Sequence, residues 1–295
     1  MIVLETAQSK AQFHLKSAEL YSLIDKKSNT EFMWDGNPAF WNKHSPILFP
    51  IVGALKNGLY QFNGEKYELG RHGFARDCEF EIAQQSDDFV SFVLQSNTET
   101  LKVYPFKFKL TINYLLTENS LKVEYFVENI DSQKMYFSIG AHPAFKVPIH
   151  PELAFEDYCL LFDLKMASDE TNIPIYPLDE AGLLAMEGMS YLEDPYSVIG
   201  LDKSIFEKDA LIFKNIKSGR LTIFSPKDTH SVAVSYEGFP YLGVWSKYGA
   251  DFVCIEPWNG ITDTVMANGH LEDKLGILSL EAQKVWKGHW MIHFE

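Results

Sequence analysis

Between Phe108 and Glu128 the chain alternates, and that alternation limits it to extended structure. Phe108, Leu110, Ile112, Tyr114 and Leu116 are interleaved with Lys109, Thr111, Asn113 and Leu115. Leu121, Val123, Tyr125 and Val127 follow, interleaved with Lys122, Glu124, Phe126 and Glu128. A period of two places each apolar set on one face of a strand, where a helix would scatter it. Thr117-Glu118-Asn119-Ser120 joins the two runs, so they read as a β-hairpin. Asn63-Gly64 joins a second, tighter hairpin between Leu59 to Phe62 and Lys66 to Leu69, because both turn residues tolerate positive φ.

The same reading places strands at 11–16, 19–24, 31–34, 78–84, 88–95, 134–140, 158–163, 210–215, 220–225, 230–236, 241–246, 252–256 and 284–294. Short helices are expected at 178–186, with Asp179 and Glu180 near its start, and at 202–208. Residues 146–200 are the least strand-like. Pro148, Pro151, Pro174, Pro177 and Pro195 interrupt them, which predicts long loops. Many short strands separated by turns define an all-β chain, either sandwich or barrel. With no linker, charge block or fixed repeat, residues 1–295 read as one domain.

Composition excludes several functions. A 295-residue chain that is 46% hydrophobic and 22% charged can bury a core unaided by disulfides or metal. A net charge of −14 disfavours nucleic acid and anionic membranes as partners. No run approaches the ~18 apolar residues of a membrane helix. Met1-Ile2-Val3-Leu4-Glu5 lacks a basic, signal-like start, so a cytoplasmic location is expected. Cys78, Cys159 and Cys254 are widely spaced, which argues against a disulfide framework or a structural zinc site.

Arginine is rare: Arg71, Arg76 and Arg220 are the only three. Two of them fall in Arg71-His72-Gly73-Phe74-Ala75-Arg76, where planar guanidinium forks suit an oxygen-rich ligand. His72 and Arg76 are candidate donors to sugar hydroxyls there, and Phe74 a surface beneath a sugar face. Gly140-Ala141-His142-Pro143-Ala144-Phe145 puts an imidazole at a strand end, in a turn stiffened by proline. In Ile255-Glu256-Pro257-Trp258 an apolar strand ends in a carboxylate, which burial would turn into a useful base. Trp258 beside it is a candidate stacking platform. An acid, a base and arginine donors at strand ends suit proton transfer on a hydroxylated substrate. Nucleotide-binding glycine loops and the hydrolase elbow are missing. His289 and His293 lie in a strand pattern and read as structural.

These three segments, in this order and spacing, resemble the aldose 1-epimerase (galactose mutarotase-like) family, in particular its bacterial mutarotase-related branch. The resemblance covers nearly the whole chain. It implies a large antiparallel β-sandwich with a few short helices and an open cleft. It also implies no metal and no organic cofactor, and interconversion of the α and β anomers of a free hexose. By the resemblance Glu256 is the general base, His142 the general acid and His72 a second, sugar-binding histidine. Asp209 matches the sugar-binding aspartate, and Arg71, Arg76 and Trp258 complete the substrate site. The chain departs from the family at Pro50-Ile51-Val52-Gly53-Ala54-Leu55-Lys56, where Ala54 stands in place of an expected arginine. Lys56 could restore the charge but not the fork. Two other readings use the same residues. One is a hexose-6-phosphate 1-epimerase, with Arg71, Arg76 and Lys247 receiving the phosphate. The other is a non-catalytic sugar-binding protein. Under all three the partner is a small-molecule sugar, and the chain is a monomer or a homodimer.

Overall fold

The alternating run forms two long strands, Phe108–Leu116 and Ser120–Asn129, paired antiparallel with Leu121 opposite Leu116. In the computed structural model, which describes residues 2–164, 173–192, 198–216 and 218–295, they belong to a nine-stranded sheet. Its order is Val198–Gly200, Cys159–Leu164, Ser218–Phe224, Val232–Ser235, Val285–Phe294, Ser120–Asn129, Phe108–Leu116, Phe89–Gln95 and Glu81–Gln85. Phe92, Phe108, Ile112, Val123, Val127 and Ile292 point inward and are fully buried. Each such side chain contributes about 1.5–3 kcal/mol relative to exposure.

A five-stranded sheet covers that face. Phe252–Asn259 pairs on one side with Tyr241–Trp245, which pairs in turn with Leu211–Lys214. On its other side lie Ile139–Gly140 and Ala144–Lys146. Phe213, Leu242, Val244, Val253 and Ile255 join the same hydrophobic cluster as the nine-stranded sheet. The chain is therefore an antiparallel β-sandwich. A four-stranded sheet, Ile2–Glu5, Ser9–Phe13, Leu20–Asp25 and Thr30–Glu31, adds Leu4, Phe13 and Leu20 to the cluster. The hairpin Leu59–Phe62 and Glu65–Glu68 turns at Asn63 and Gly64, whose φ values of 51° and 82° are both left-handed.

Several local expectations need correction. Residues 178–186 are not helical. The Asp179 carboxylate accepts the N–H groups of Ala181 and Leu183, as a helix cap would. The chain then reverses at Gly182 (φ 75°), and Leu178 bridges Leu184. At 202–208 only a 3₁₀ turn forms, Lys203–Phe206, capped by Asp202. The six-residue helix Thr98–Val103 was not anticipated, since it is too short to show a helical period. Asn97 and Thr100 cap it reciprocally. Region 134–140 divides into Met135–Phe137, paired with Leu278–Leu280, and Ile139–Gly140 in the five-stranded sheet. Within 146–200 the short hairpin Ile173–Ile175 and Ser190–Leu192 adds strand where loop was expected. Residues 165–172 and 193–197, with Pro195, lie outside the described residues. Among the described residues no helix is long and apolar enough to cross a membrane.

Candidate active site

All eight residues of Phe252–Asn259 are buried. Val253 and Ile255 face the main core, while Phe252, Cys254 and Trp258 belong to clusters on the opposite face. Glu256 shares that opposite face by the period of two. It sits inside the strand and not at its end, because both faces of this sheet are covered and the strand runs on through Pro257. Gly243 lies opposite Glu256 in register. A Cβ at Gly243 or Gly140 would come within 2.5 Å or 2.6 Å of the Trp258 ring. The two glycines thus let the indole lie flat as the floor of the site, only 4% exposed. Trp258 is a floor more than a free-standing platform.

His142 follows the short strand Ile139–Gly140. Its Nε2 stands 3.2 Å from Glu256 Oε2, and the two are only 8% and 1% exposed. Trp41 stacks on the imidazole at 4.8 Å, and Trp245 meets it edge-on at 5.6 Å. His72 lies 5.5 Å from it, ring to ring and nearly perpendicular. The Gly53 amide donates to His72 Nδ1 at 3.1 Å. That bond assigns the His72 proton to Nε2, leaving an N–H donor on the far side of the ring. His72 takes a left-handed φ of 69°, as does Asp209 with 86°. Non-glycine residues held there carry strain that collects at functional sites.

Asp209 Oδ2 pairs with Arg71 Nη2 at 3.3 Å, and Asp209 Oδ1 accepts the Ala210 amide at 2.9 Å. The Arg71 guanidinium lies against Gly182, where any Cβ would overlap it. Arg71, His72, Arg76, His142, Asp209, Lys247, Glu256 and Trp258 all border one cavity of about 320 Å³. The residues singled out from sequence are therefore brought together, with two exceptions. Phe74 packs inward on Phe49, Tyr104 and Phe108 instead of beneath the cavity. Lys56 turns away, its Nζ directed at the Ala267 carbonyl, so it does not replace the missing arginine. Sequence reading missed Trp41, Trp245, Gly182 and Thr262, which also line the cavity. No local pattern marks them.

Burial sets the electrostatics. It holds the His72 and His142 imidazoles well below their ordinary pKa, and the nearby arginines push the same way. It raises Glu256 well above the usual carboxylate range, helped by the charge of Asp209. The Trp258 indole and both arginines oppose that shift without overcoming it. Glu256 Oε1 and Oε2, His142 Nδ1 and Trp258 Nε1 have no hydrogen-bond partner among the described residues. Buried polar atoms are rarely left so, and these four belong to three residues that border one cavity. A His142 nitrogen, the Cys254 sulfur and a Glu256 oxygen lie within 4.8 Å of one another and are the groups that would hold a metal. Arg76 and Arg71 act on the same imidazole and would repel a cation there.

Strand order, cleft and acid–base pair together define a galactose mutarotase-like β-sandwich. The chain belongs to the aldose 1-epimerase family, whose model matches residues 1–274. It is 33% identical over 281 residues to the chromosomal protein LacX of Lactococcus lactis subsp. lactis, spanning 92% of each. It superposes on a galactose mutarotase related enzyme from Lactobacillus acidophilus with a TM-score of 0.93 and 34% identity, over 100% of this chain and 97% of that one. A galactose mutarotase-like protein from Lactobacillus casei ATCC 334 gives 0.91 and 32%, over 100% of both chains.

Proposed function

We propose that this chain is an aldose 1-epimerase that exchanges the α and β anomers of a free hexose, with Glu256 as general base and His142 as general acid. The observation that carries this reading is the buried pair, 3.2 Å apart with unpaired polar atoms, bordering the cavity. Mutarotation removes a proton from the anomeric O1 hydroxyl and delivers one to the ring oxygen O5. The C1–O5 bond opens, the aldehyde rotates about C1–C2, and the ring recloses on its other face. Closure returns the O5 proton to His142 and the O1 proton from Glu256, so the pair ends as it began.

Burial favours neutral Glu256 and neutral His142 in the free site. The reactive form, carboxylate and imidazolium, holds the same number of protons. It differs only by one proton moved across the 3.2 Å contact. His72 Nε2–H supplies a donor to a sugar oxygen, while Arg76 and the Arg71–Asp209 pair read hydroxyls at the rim.

A second reading has one observation in its favour. Arg76 and Lys247 border the cavity with no carboxylate at ion-pair distance among the described residues, which would suit the phosphate of a hexose 6-phosphate. Arg71, already paired with Asp209, counts against it. Two-dimensional NMR exchange spectra of glucose, galactose and glucose 6-phosphate test both. Protein-dependent cross-peaks between anomers of the free sugars support the proposal. Cross-peaks for the phosphate alone support the second reading. Saturation-transfer binding without exchange overturns both in favour of a sugar-binding protein.

A further inference from the structure

Outside the cavity the chain buries a pair of opposite charges. Lys274 Nζ lies 2.9 Å from Asp263 Oδ1, with side chains 2% and 5% exposed. Lys274 Nζ also donates to the Ile261 carbonyl at 2.6 Å. Asp263 Oδ2 accepts the Lys56 amide at 2.9 Å. The Asp263 amide donates to the Ala54 carbonyl at 2.9 Å, and its carbonyl accepts the Leu184 amide at 2.8 Å. Every polar atom of Asp263 is therefore committed, and its partners lie on three separate segments.

Those segments lead to the cavity. Thr262 Oγ1 accepts the Ala54 amide at 3.0 Å and donates to the Gly182 carbonyl at 2.7 Å. Thr262 packs so closely on Gly53 that any Cβ there would overlap it. Gly53 makes two bonds to His72: its amide to Nδ1 at 3.1 Å, and its carbonyl from the His72 amide at 2.8 Å. Gly182 is the surface on which Arg71 lies. The segments bonded to Asp263 thus carry the glycines that support both His72 and Arg71.

We propose that Asp263 and Lys274 are positioning residues for the sugar site. Their ion pair clamps residues 53–56 directly onto 261–263, and by fixing the 262–263 backbone it also seats 182–184. The clamp holds the Gly53 amide in line with His72 Nδ1, and so keeps the His72 proton on Nε2, facing the cavity. A buried ion pair is a weak source of stability, since an apolar pair of similar volume often serves as well. What it supplies here is direction: the Lys56 amide and the Ile261 carbonyl converge on the fixed carboxylate and ammonium, and the Asp263 backbone carbonyl so placed receives the Leu184 amide. The link to sugar recognition rests on the role proposed above for His72, but the state of its ring can be read with no sugar present.

The test uses the full chain labelled with ¹⁵N-histidine and long-range ¹H–¹⁵N correlation spectra, in which the two neutral tautomers give different patterns. His72→Gln assigns the His72 signals by their loss. The unmodified protein is expected to show the Nε2–H tautomer. The double variant Asp263→Asn with Lys274→Met leaves no unpaired charge behind and is expected to fold. In it the His72 signals move to a mixture of tautomers. The KM for sugar rises about tenfold, the worth of one hydrogen bond, with kcat changed far less. Should that variant fail to give a cooperative melt, Asp263→Asn alone removes the ion pair while leaving Lys274 its bond to the Ile261 carbonyl, and is expected to produce the same mixture. A folded variant with a pure Nε2–H His72 overturns the proposal. A tautomer shift in a protein whose unmodified form exchanges no anomers sustains the clamp while overturning the catalytic reading.

Discussion

Lys274–Asp263 and His142–Glu256 are both buried acid–base pairs, yet they are built differently. In the first, a 2.9 Å contact is backed by a backbone partner for the other carboxylate oxygen and for the ammonium. In the second, the partners stand 3.2 Å apart with no hydrogen bond between them, and both carboxylate oxygens and one ring nitrogen are unpaired. Satisfied polar groups in a low-dielectric interior hold a geometry firmly, whereas unsatisfied ones are costly until something else bonds to them. On the roles proposed for them, one pair fixes backbone and the other keeps its bonding capacity for a sugar.

Substitutions separate the two kinds of pair, beginning with the largest effect. Glu256→Gln removes the base, and turnover of anomers is expected to fall by about 10²–10⁴-fold with sugar binding retained. The same change should stabilise the fold at neutral pH. Burial raises the folded-state pKa of Glu256, so stability is lost as pH rises from the unfolded value of 4.5 toward the folded one. Calorimetry from pH 4 to 8 should show Glu256→Gln melting higher than the unmodified chain, with a gap that closes toward pH 4.

Lys274→Met is the contrasting case. It leaves the Asp263 carboxylate buried and unpaired, and is expected to cost about 3–5 kcal/mol in urea unfolding. Adding Asp263→Asn should recover most of that loss. A Lys274→Met protein as stable as the original would erase the distinction between the two pairs.

Acid should act through the histidines. His72 and His142 have folded pKa values below the ordinary 6.5, mainly through burial, so below 6.5 the unfolded chain binds protons that the folded chain refuses. Stability is expected to fall with decreasing pH, by about 1.4 kcal/mol per unit for each such histidine until its folded pKa is reached. His72→Gln should make that fall shallower in denaturant titrations between pH 5 and 7. The same directions predict a broad bell for the rate. Its acid limb lies below 6.5, where His142 and Glu256 gain a second proton, and its alkaline limb well above 4.5, where they lose their last. The smallest effect is expected at the exposed rim. Asp209→Asn breaks a pair worth about 1 kcal/mol or less, so KM should change only a few-fold in steady-state kinetics.

Much of the fold was legible because the nine-stranded sheet alternates cleanly, as the hairpin of Phe108–Leu116 and Ser120–Asn129 shows. The five-stranded sheet is covered on both faces, so alternation fades. Glu256 was recognisable as a buried carboxylate, but its place inside a strand that runs through Pro257 was not. His72, His142 and Glu256 were readable from local motifs and strand ends. Trp41 and Thr262 were not, since only tertiary packing brings them to the cavity. The Asp263–Lys274 pair is silent in sequence for a similar reason: nothing near either residue shows that both charges are buried. The Asp179 signal misled because a cap and a tight turn use the same side-chain bonds.

The most direct measurement is the optical rotation of freshly dissolved α-D-glucose and α-D-galactose in a weakly catalytic buffer, with the protein and with Glu256→Gln. Rotation should relax to the equilibrium value much faster with the unmodified protein, for at least one of the sugars, and at nearly the buffer rate with the variant. Equal acceleration by both proteins would contradict the assignment of Glu256 as the base, and no acceleration by either would contradict free-hexose epimerisation itself.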